Sequence, residues 1–503
     1  MKSQLNFSPK EQNLLKIIYR FAKAQKIKLY LVGGILRDIL LGREKENPDI
    51  DFCLKKGTIN FGRKLAKEIK AGFVVLDKEH GAARLVYPVR GKTPRVPASN
   101  GVKRIKDKVY TLDFTDFRGK TLGDDLLHRD FTINALALEL EEVFGGLDLN
   151  TLLIDPCQGR NDLCAKTIRI VNKNSFRDDP LRILRAFSLA CILGFKIERE
   201  TLRLASSEKN RLTRVSSERI RDELFKIFDS PCAYDYLNEL DKLKILKVIL
   251  PEIEFMRGVG QGPYHHLDVW QHSLETIRQF EILLKELKNN REIQGYLNEV
   301  ISYGRKRQAL IKLGALFHDV GKPKARKKEN GKTTFHGHER IGLEITEEIA
   351  KRLRLSNHEL DSLRKMVLFH LRPGYLADNE VVTPRAKFRF FRDTDNEAVS
   401  VLLIALADQR ATKGRLTTKE SRLRHERLVS GLVKEYFRKK KEKKLVRLIN
   451  GNDLMKKFKL QPSPLIGKIL SELDELQAIG KVKTKTEALK ISVNLIKGLK
   501  AGS

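Results

Sequence analysis

Apolar residues recur at helical spacing over residues 10–26, behind Ser8-Pro9, and predict an amphipathic helix. The period then changes. Leu29-Tyr-Leu-Val32 predicts a short strand, Gly33-Gly34 a turn, and Ile35–Leu41 a helix closed by Gly42. Apolar-rich strands are predicted near 50–54, 72–76, 82–89 and 109–114, with a helix near 61–70, which together make a small α/β unit. Arg90–Lys108 carries three basic clusters among Gly, Pro and Ser without periodicity, and predicts a flexible basic insertion between two strands. From about residue 155 strand signals nearly vanish. Residues 175–260 predict several short helices, 265–410 a helical block, and 448–498 a last helical module.

Length and charge narrow this picture. A chain of 503 residues is too long for one core and predicts two to four domains. Lys and Arg number 98 against 64 Asp and Glu, a net charge of +34, and a chain this basic calls for a polyanionic partner, most commonly nucleic acid. Residues 413–447 concentrate the excess, with 14 Lys/Arg against 4 Asp/Glu. Within them Arg438-Lys-Lys-Lys-Glu-Lys-Lys444, preceded by Tyr436 and Phe437, reads as a grip on an RNA backbone or as a solvated helix face. Five scattered cysteines without a C-x-x-C pair fit reduced thiols and exclude a disulfide framework or zinc ribbon. With no signal-like apolar start and no apolar run of about 18 residues, a cytoplasmic protein with no membrane partner is expected.

The first candidate chemistry is Asp49-Ile-Asp51. On a strand these carboxylates project from one face about 7 Å apart, a costly placement unless a cation lies between them. Mg²⁺ suits such a pair when substrate phosphates complete its shell, although D-x-D is also common on solvated strand faces. Upstream, Val32-Gly33-Gly34-Ile-Leu-Arg37 supplies a glycine turn whose backbone N–H groups can approach a phosphate, with Arg37 in reach of the same oxyanion. The two features together, close in one α/β unit, predict phosphoryl-transfer chemistry.

Four segments then carry a resemblance. Leu-Val-Gly-Gly-Ile-Leu-Arg-Asp (31–38), Asp-Ile-Asp-Phe (49–52), His-Arg-Asp-Phe-Thr-Ile-Asn-Ala-Leu-Ala (128–137) and Asp-Asp-Pro-Leu-Arg-Ile-Leu-Arg-Ala-Phe (178–187) follow the order and spacing of class II tRNA nucleotidyltransferases and bacterial poly(A) polymerases. The resemblance covers roughly residues 28–260. It implies a polymerase-β-like head, with Gly34 and Arg37 at the triphosphate, Gly33 and Arg129 also binding the nucleotide, Mg²⁺ on Asp49 and Asp51, and Asp130 near the ribose 2′-hydroxyl. Asn134, four residues on, would share the face of Asp130 on an implied helix, or would serve as a capping or core-polar residue.

Asp179, Arg182 and Arg185 stand at i, i+3, i+6 and would share a helix face. An aspartate accepting from an exocyclic amino group beside an arginine donating to a ring nitrogen admits cytosine and adenine and refuses guanine and uracil. The resemblance implies that role. Asp179-Pro180 also reads as an N-cap followed by a first-turn proline. The family usually has Glu where Asp178 stands, so the charge is kept and the reach is shorter.

Eight of the eleven histidines fall within 265–410. His272, His318-Asp319 and Asp408 follow the H…HD…D order of the HD metal-dependent phosphohydrolases, which implies a divalent metal (Mg²⁺, Mn²⁺ or a transition metal) and hydrolysis of RNA phosphate ends where the domain is active. His336, His338 and His370 are candidates for a second metal. Near the end, Leu448-Ile-Asn-Gly-Asn-Asp-Leu454 and Pro462-Ser-Pro-Leu-Ile-Gly467 resemble the C-terminal helical module of some family members.

The expected fold is α+β, a nucleotidyltransferase head at 1–155, a helical neck with the base-recognition motif at 156–262, an HD body at 263–412 and a basic RNA-binding tail at 413–503. The expected activity is template-independent addition of CCA, from CTP and ATP, to the 3′ end of tRNA by two-metal chemistry. Addition of CC alone, of A alone, or of poly(A) are the alternatives within the family, and the 90–108 insertion, where the family has a loop linked to the C-to-A switch, favours full CCA. An HD phosphohydrolase with an inactive head and a non-catalytic RNA-binding protein are the alternatives of other classes.

Overall fold

The computed structural model describes residues 7–43, 49–88, 109–145, 149–329, 332–442 and 446–501. The Arg90–Lys108 insertion, and Lys443 and Lys444 of the basic run, lie outside these residues. The chain divides into two compact units, Met1–Ser216 and Ser217–Ser503, with the division inside the segment expected as a neck.

The first unit opens with α1 (Pro9–Ala24). Ser8 and Glu11 form a capping box, Pro9 fills the first turn, and Leu14, Leu15, Ile18 and Ala22 are buried. Six strands follow, β1 (Tyr30–Val32), β2 (Asp49–Leu54), β3 (Gly72–Asp77), β4 (Ala82–Pro88), β5 (Val109–Asp116) and β6 (Ala137–Glu139). They form one sheet in the order β3-β4-β5-β2-β1-β6, parallel only between β2 and β5. Helices α2 (Gly34–Leu40), α3 (Thr58–Ile69) and α4 (Leu122–Leu127) complete the head.

Strand alternation gives this sheet two unlike faces. One carries Ile50, Phe52, Leu112, Phe114 and Leu85, all buried, and α3 presses onto it so closely that a Cβ on Gly62 would stand 3.2 Å from the Phe73 ring. Stacked rings of Phe52 and Phe114, centroids 4.7 Å apart, mark its centre. The other face carries Asp49, Asp51 and Cys53. Near β1 and β2 it is covered by a cluster of Val32, Cys53, Leu126, Ala135 and Ala137.

Two local expectations change. Residues 128–134 are not an α-helix but a turn followed by a single 3₁₀ turn, Thr132–Asn134, leading into β6. Tertiary pairing overrides the helical pattern there: Phe131 bridges to Ile170, and Ala137 pairs with both Val32 and Ile154. Asp179, likewise, is not helical. It ends the short helix Ser175–Asp178 in an extended conformation, and the next helix begins at Arg182. Arg182 and Arg185 therefore share a helix, while Asp179 approaches from the turn before it.

The second unit is helical, with small exceptions in two hairpins, Val300–Ser302 with Arg305–Lys306 and Lys327–Glu329 with Lys332–Thr334. At its centre runs Ala398–Ala411, whose residues 398–407 are all buried, packed against Val269–Glu286, Arg307–Phe317 and Asn357–Phe369. An apolar helix with no polar side is the sequence signature of such a position. The last module, residues 446–501, has its own core around Leu454, Ile469, Leu473 and Val482. No helix among the described residues is long and apolar enough to cross a membrane.

Candidate active site

The head motifs, separated by up to about 150 residues, meet over the Gly33 turn. Gly33 has φ +77°, where a side chain is strained, and a Cβ there would stand 3.1 Å from Arg129 Nη1 and 3.2 Å from Asp51 Oδ2. A glycine is thus required twice, by backbone conformation and by the close approach of an arginine and a carboxylate. Arg37 is buried one turn into α2, donating to Asp38 Oδ1 at 3.0 and 2.9 Å and to Asn134 Oδ1 at 2.7 Å.

Asn134 continues the network. Its Nδ2 donates to Asp130 Oδ1 at 3.0 Å, so the predicted Asp130–Asn134 contact forms although the helix implied for it does not. Asp130 also accepts from Phe131 N at 2.7 Å and pairs with Arg185 Nε at 2.9 Å. Burial pushes the Asp130 carboxyl up, but Arg185, Asn134 and the Phe131 amide outweigh it and hold the group below the ordinary carboxylate value. Arg182 is buried and donates to the carbonyls of His128 (2.8 Å) and Arg129 (3.3 Å). Asp179 Oδ1 accepts from Leu181 N at 3.2 Å and so closes the turn before the Arg182 helix, whose own N-cap position is Leu181.

Asp49 is exposed and Asp51 half-buried on the same face of β2. Burial, with Asp113 and Asp49 adding to it, pushes Asp51 up to about 6 although Arg129 opposes. A carboxylate kept this basic, flanked by two others, suits a divalent cation. Asp113 was not among the residues singled out from sequence. The β2–β5 register sets it directly beside Asp51, and Arg84 on β4 clasps it through Nε and Nη2 at 2.8 and 2.7 Å. Asp125, also unforeseen, is buried and accepts from Arg129 Nε and Nη2 at 3.3 and 3.2 Å, fixing that guanidinium over the turn.

The second unit holds a separate centre. His272, His318, Asp319, His338 and His370 are all buried. Their ligand atoms form two groups that share Asp319, one with His272 and His318 and one with His338 and His370, each with its atoms within 4.8 Å of one another. Asp408 is in neither group, but its Oδ1 lies beside the first, 2.8 Å from His272 Nε2 and 3.8 Å from His318 Nε2. His336, a candidate from sequence, stays out of both groups.

In His318, His338 and His370 the Nδ1 lies 2.7 to 2.9 Å from the carbonyl three residues back, an arrangement that makes Nδ1 the donor and turns Nε2 inward as a lone pair. Lys322 Nζ, another residue not foreseen, is 2.6 Å from Asp319 Oδ2. These contacts are short, yet both Asp319 oxygens and His318 Nε2 are buried without a hydrogen bond of acceptable geometry. A donor set of imidazoles and carboxylates with unsatisfied atoms fits a divalent metal.

Family models match four segments: "Poly A polymerase head domain" at residues 29–169, "Probable RNA and SrmB-binding site of polymerase A" at 194–256, "HD domain" at 269–413 and "tRNA nucleotidyltransferase domain 2 putative" at 431–492. The chain is 30% identical over 470 residues to an A-adding tRNA nucleotidyltransferase of Deinococcus radiodurans, covering 91% of this chain and 93% of that protein. It is 30% identical over 466 residues to a CC-adding tRNA nucleotidyltransferase of Thermus thermophilus, covering 91% of each. Among solved structures, the Thermotoga maritima CCA-adding enzyme complexed with tRNA shares the fold at TM-score 0.60 and 22% identity, over 97% of this chain and 96% of its own. A CCA-adding enzyme complexed with CTP gives TM-score 0.63 at 22% identity with the same coverage. Likeness along nearly the whole length of proteins of one kind agrees with motifs that converge on one turn, and the chain belongs to the family of class II tRNA nucleotidyltransferases and poly(A) polymerases.

Proposed function

We propose that this nucleotidyltransferase builds CCA, from CTP and ATP, onto the 3′ end of tRNA. The observation that supports it best is the convergence of Asp51 and Arg129 on the Gly33 turn, where a Cβ would stand 3.2 and 3.1 Å from them, beside the chain from buried Arg37, Asn134 and Asp130 to the exposed Arg185. In this reading Arg129 and Arg37 orient the triphosphate, while the bare backbone at Gly33 and Gly34 lets its oxygens approach. Asp130, held ionised, accepts from the ribose 2′-hydroxyl and so favours ribonucleotides. Asp49 and Asp51 hold divalent cations, and Mg²⁺ bound there would neutralise the triphosphate and ease ionisation of the RNA 3′-hydroxyl.

Reading the base falls to Asp179 and Arg182, with Arg185 bracing Asp130. Arg182 now bonds the carbonyls of the segment that carries Arg129, so engaging a ring nitrogen requires it to exchange those acceptors. Base recognition and triphosphate orientation are thereby coupled through one side chain. The test is incorporation of labelled CTP and ATP into tRNA transcripts ending before CCA, after C and after CC. CCA addition predicts that CTP extends the first two and that ATP adds once to the third. Use of one nucleotide alone, as in the relatives named for A or CC addition, or repeated ATP addition, reassigns the specificity.

A second reading applies to the HD centre, and its unsatisfied buried atoms favour it. His272, His318, Asp319 and Asp408 would hold one divalent metal, and Asp319, His338 and His370 a second. Such metals would supply Lewis acidity for hydrolysis of phosphomonoester or 2′,3′-cyclic phosphate ends of RNA. Metal-dependent phosphate release from such ends, lost on Asp319→Asn, tests it. The residues 413–503 would serve as an RNA-binding end, through the basic helix Lys419–Lys441.

A further inference from the structure

The sheet face that carries the catalytic carboxylates is only half covered. Cross-strand pairing aligns Val32, Asp51, Asp113, Arg84 and Val74 in one row, so all five project from that face. A second row, two residues away on the same face, runs Asp49, Thr111, Val86. On the β1 and β2 side the face is roofed by the cluster around Cys53 and Leu126. On the β3 and β4 side it is open among the described residues: Val74 is 52% exposed, Leu76 50% and Val86 37%. Apolar side chains on an open sheet face, flush with an active site, invite an occupant.

We infer that this shelf seats the 3′-terminal nucleotide of the acceptor RNA, with its sugar between Asp49 and Val86, its base over Val86 on the side toward Val74, and its phosphodiester at Arg84. The inference rests on the polymerase reading above and deepens it. In-line displacement at the α-phosphate sets the attacking oxygen opposite the leaving pyrophosphate. The triphosphate side is fixed by Gly33, Arg37 and Arg129, which lie on the β1 and α2 side of Asp51. The attacking 3′-hydroxyl therefore arrives from the opposite side, across β5 and β4.

Scale and charge agree. Val86 lies two strands, about 10 Å, from Asp49, the span of one nucleotide from its reacting hydroxyl. Arg84 uses Nε and Nη2 to hold Asp113 and remains 44% exposed at the side chain, so its outer edge can meet a phosphate while the inner edge steadies a carboxylate beside Asp51. Aliphatic contact to a sugar and base with one cation at the backbone does not depend on sequence, which suits an end that changes with each addition.

The test separates the RNA from the nucleotide. Val86→Glu and Val74→Glu add a carboxylate at exposed positions that folding tolerates. Each is expected to raise the KM for RNA ending in CC about tenfold, with the KM for ATP changed less than about twofold. Arg84→Gln is expected to raise the RNA KM and to reduce the salt slope of RNA binding by about one, with Arg84→Lys restoring the slope. Benzoylphenylalanine in place of Val74 should photocrosslink to the terminal nucleotide of labelled RNA. Unchanged RNA KM values, or equal rises for RNA and ATP, in variants of an enzyme whose wild type incorporates nucleotides overturn the seat alone. A wild type that incorporates none overturns the polymerase reading and the seat with it.

Discussion

The head site and the HD centre approach a divalent metal from opposite directions. In the head, the carboxylates line an open sheet face, Asp49 exposed and Asp51 half-buried, with the nearest cations committed to neighbouring groups. In the HD body, five side chains that could hold a metal are buried and three imidazoles have their inward nitrogens aimed by backbone carbonyls. One site would be completed by a substrate, as hard Mg²⁺ with phosphate ligands allows, and the other is assembled in advance from borderline imidazoles and hard carboxylates. The difference lies in preorganisation: the fold fixes the imidazoles, whereas the head fixes the arginines and leaves a carboxylate waiting.

The widest gap expected is between reciprocal variants. Asp51→Asn should lower nucleotide incorporation at least about a thousandfold with phosphate release by the HD centre unchanged, and Asp319→Asn should do the reverse. Steady-state assays on both reactions in the two variants check this; loss of both activities in either variant would show that the sites are coupled. Asp51→Asn should also stabilise the metal-free enzyme at pH 7. Because burial raises the folded pKa of Asp51 to about 6, above its unfolded value, ionised Asp51 opposes folding above that pH by about 1 to 3 kcal/mol. Thermal melts with and without Mg²⁺ measure it, and Mg²⁺ should stabilise the wild type more than the variant.

The next effect follows pH. A cation at Asp51 competes with a proton, so the Mg²⁺ concentration for half-maximal incorporation should rise about tenfold per unit as pH falls below 6 and level off above it. An Mg²⁺ requirement that is flat from about pH 5 to 7 would mean that Asp51 is already ionised across that range. Gly33→Ala comes below this. With φ at +77° and 3.1 Å to Arg129 Nη1, a methyl strains the turn by about 1 to 2 kcal/mol and separates Arg129 from Asp51. Incorporation should fall about ten- to a hundredfold, mainly through the KM for ATP and CTP, while hydrolysis by the HD centre stays at the wild-type rate.

How much of each site could be read in advance follows from how local its determinants are. Gly33, Arg37, Asp49 and Asp51 announce themselves by spacing within one strand-turn-helix and the strand after it. Asp113 and Arg84 could not, because only the β2–β5–β4 register sets them beside Asp51, and register across a chain excursion of some sixty residues is not a local property. Residues 128–134 read as a helix because their pattern allows one, and the bridge of Phe131 to Ile170 and the pairing of Ala137 with β1 decided otherwise. In the HD body the order of His272, His318-Asp319 and Asp408 was legible. Choosing among His336, His338 and His370 required knowing that His338 is the first residue of a helix facing Asp319 and that His336 precedes the Gly337 turn.

Asp179 sharpens the comparison at its finest grain, since it joins both modes in one residue. In this conformation its Oδ1 caps the turn into the Arg182 helix through Leu181 N, a structural task like that of the HD carbonyls. Reading a base amino group demands an acceptor at the same carboxylate. Asp179→Asn keeps an oxygen for the cap, so stability should change by less than about 0.5 kcal/mol, whereas Asp179→Ala should cost about 1 kcal/mol. Base selection should respond in the other order. The amide that the Asp179→Asn change introduces can turn a donor toward the base, so this variant should admit UTP or GTP severalfold better relative to CTP and ATP, and the alanine variant should lose discrimination with no new preference. Competition assays with all four nucleotides, run beside thermal melts, separate the two roles. Parallel losses of stability and selectivity in both variants would make Asp179 a cap alone and return base reading to Arg182.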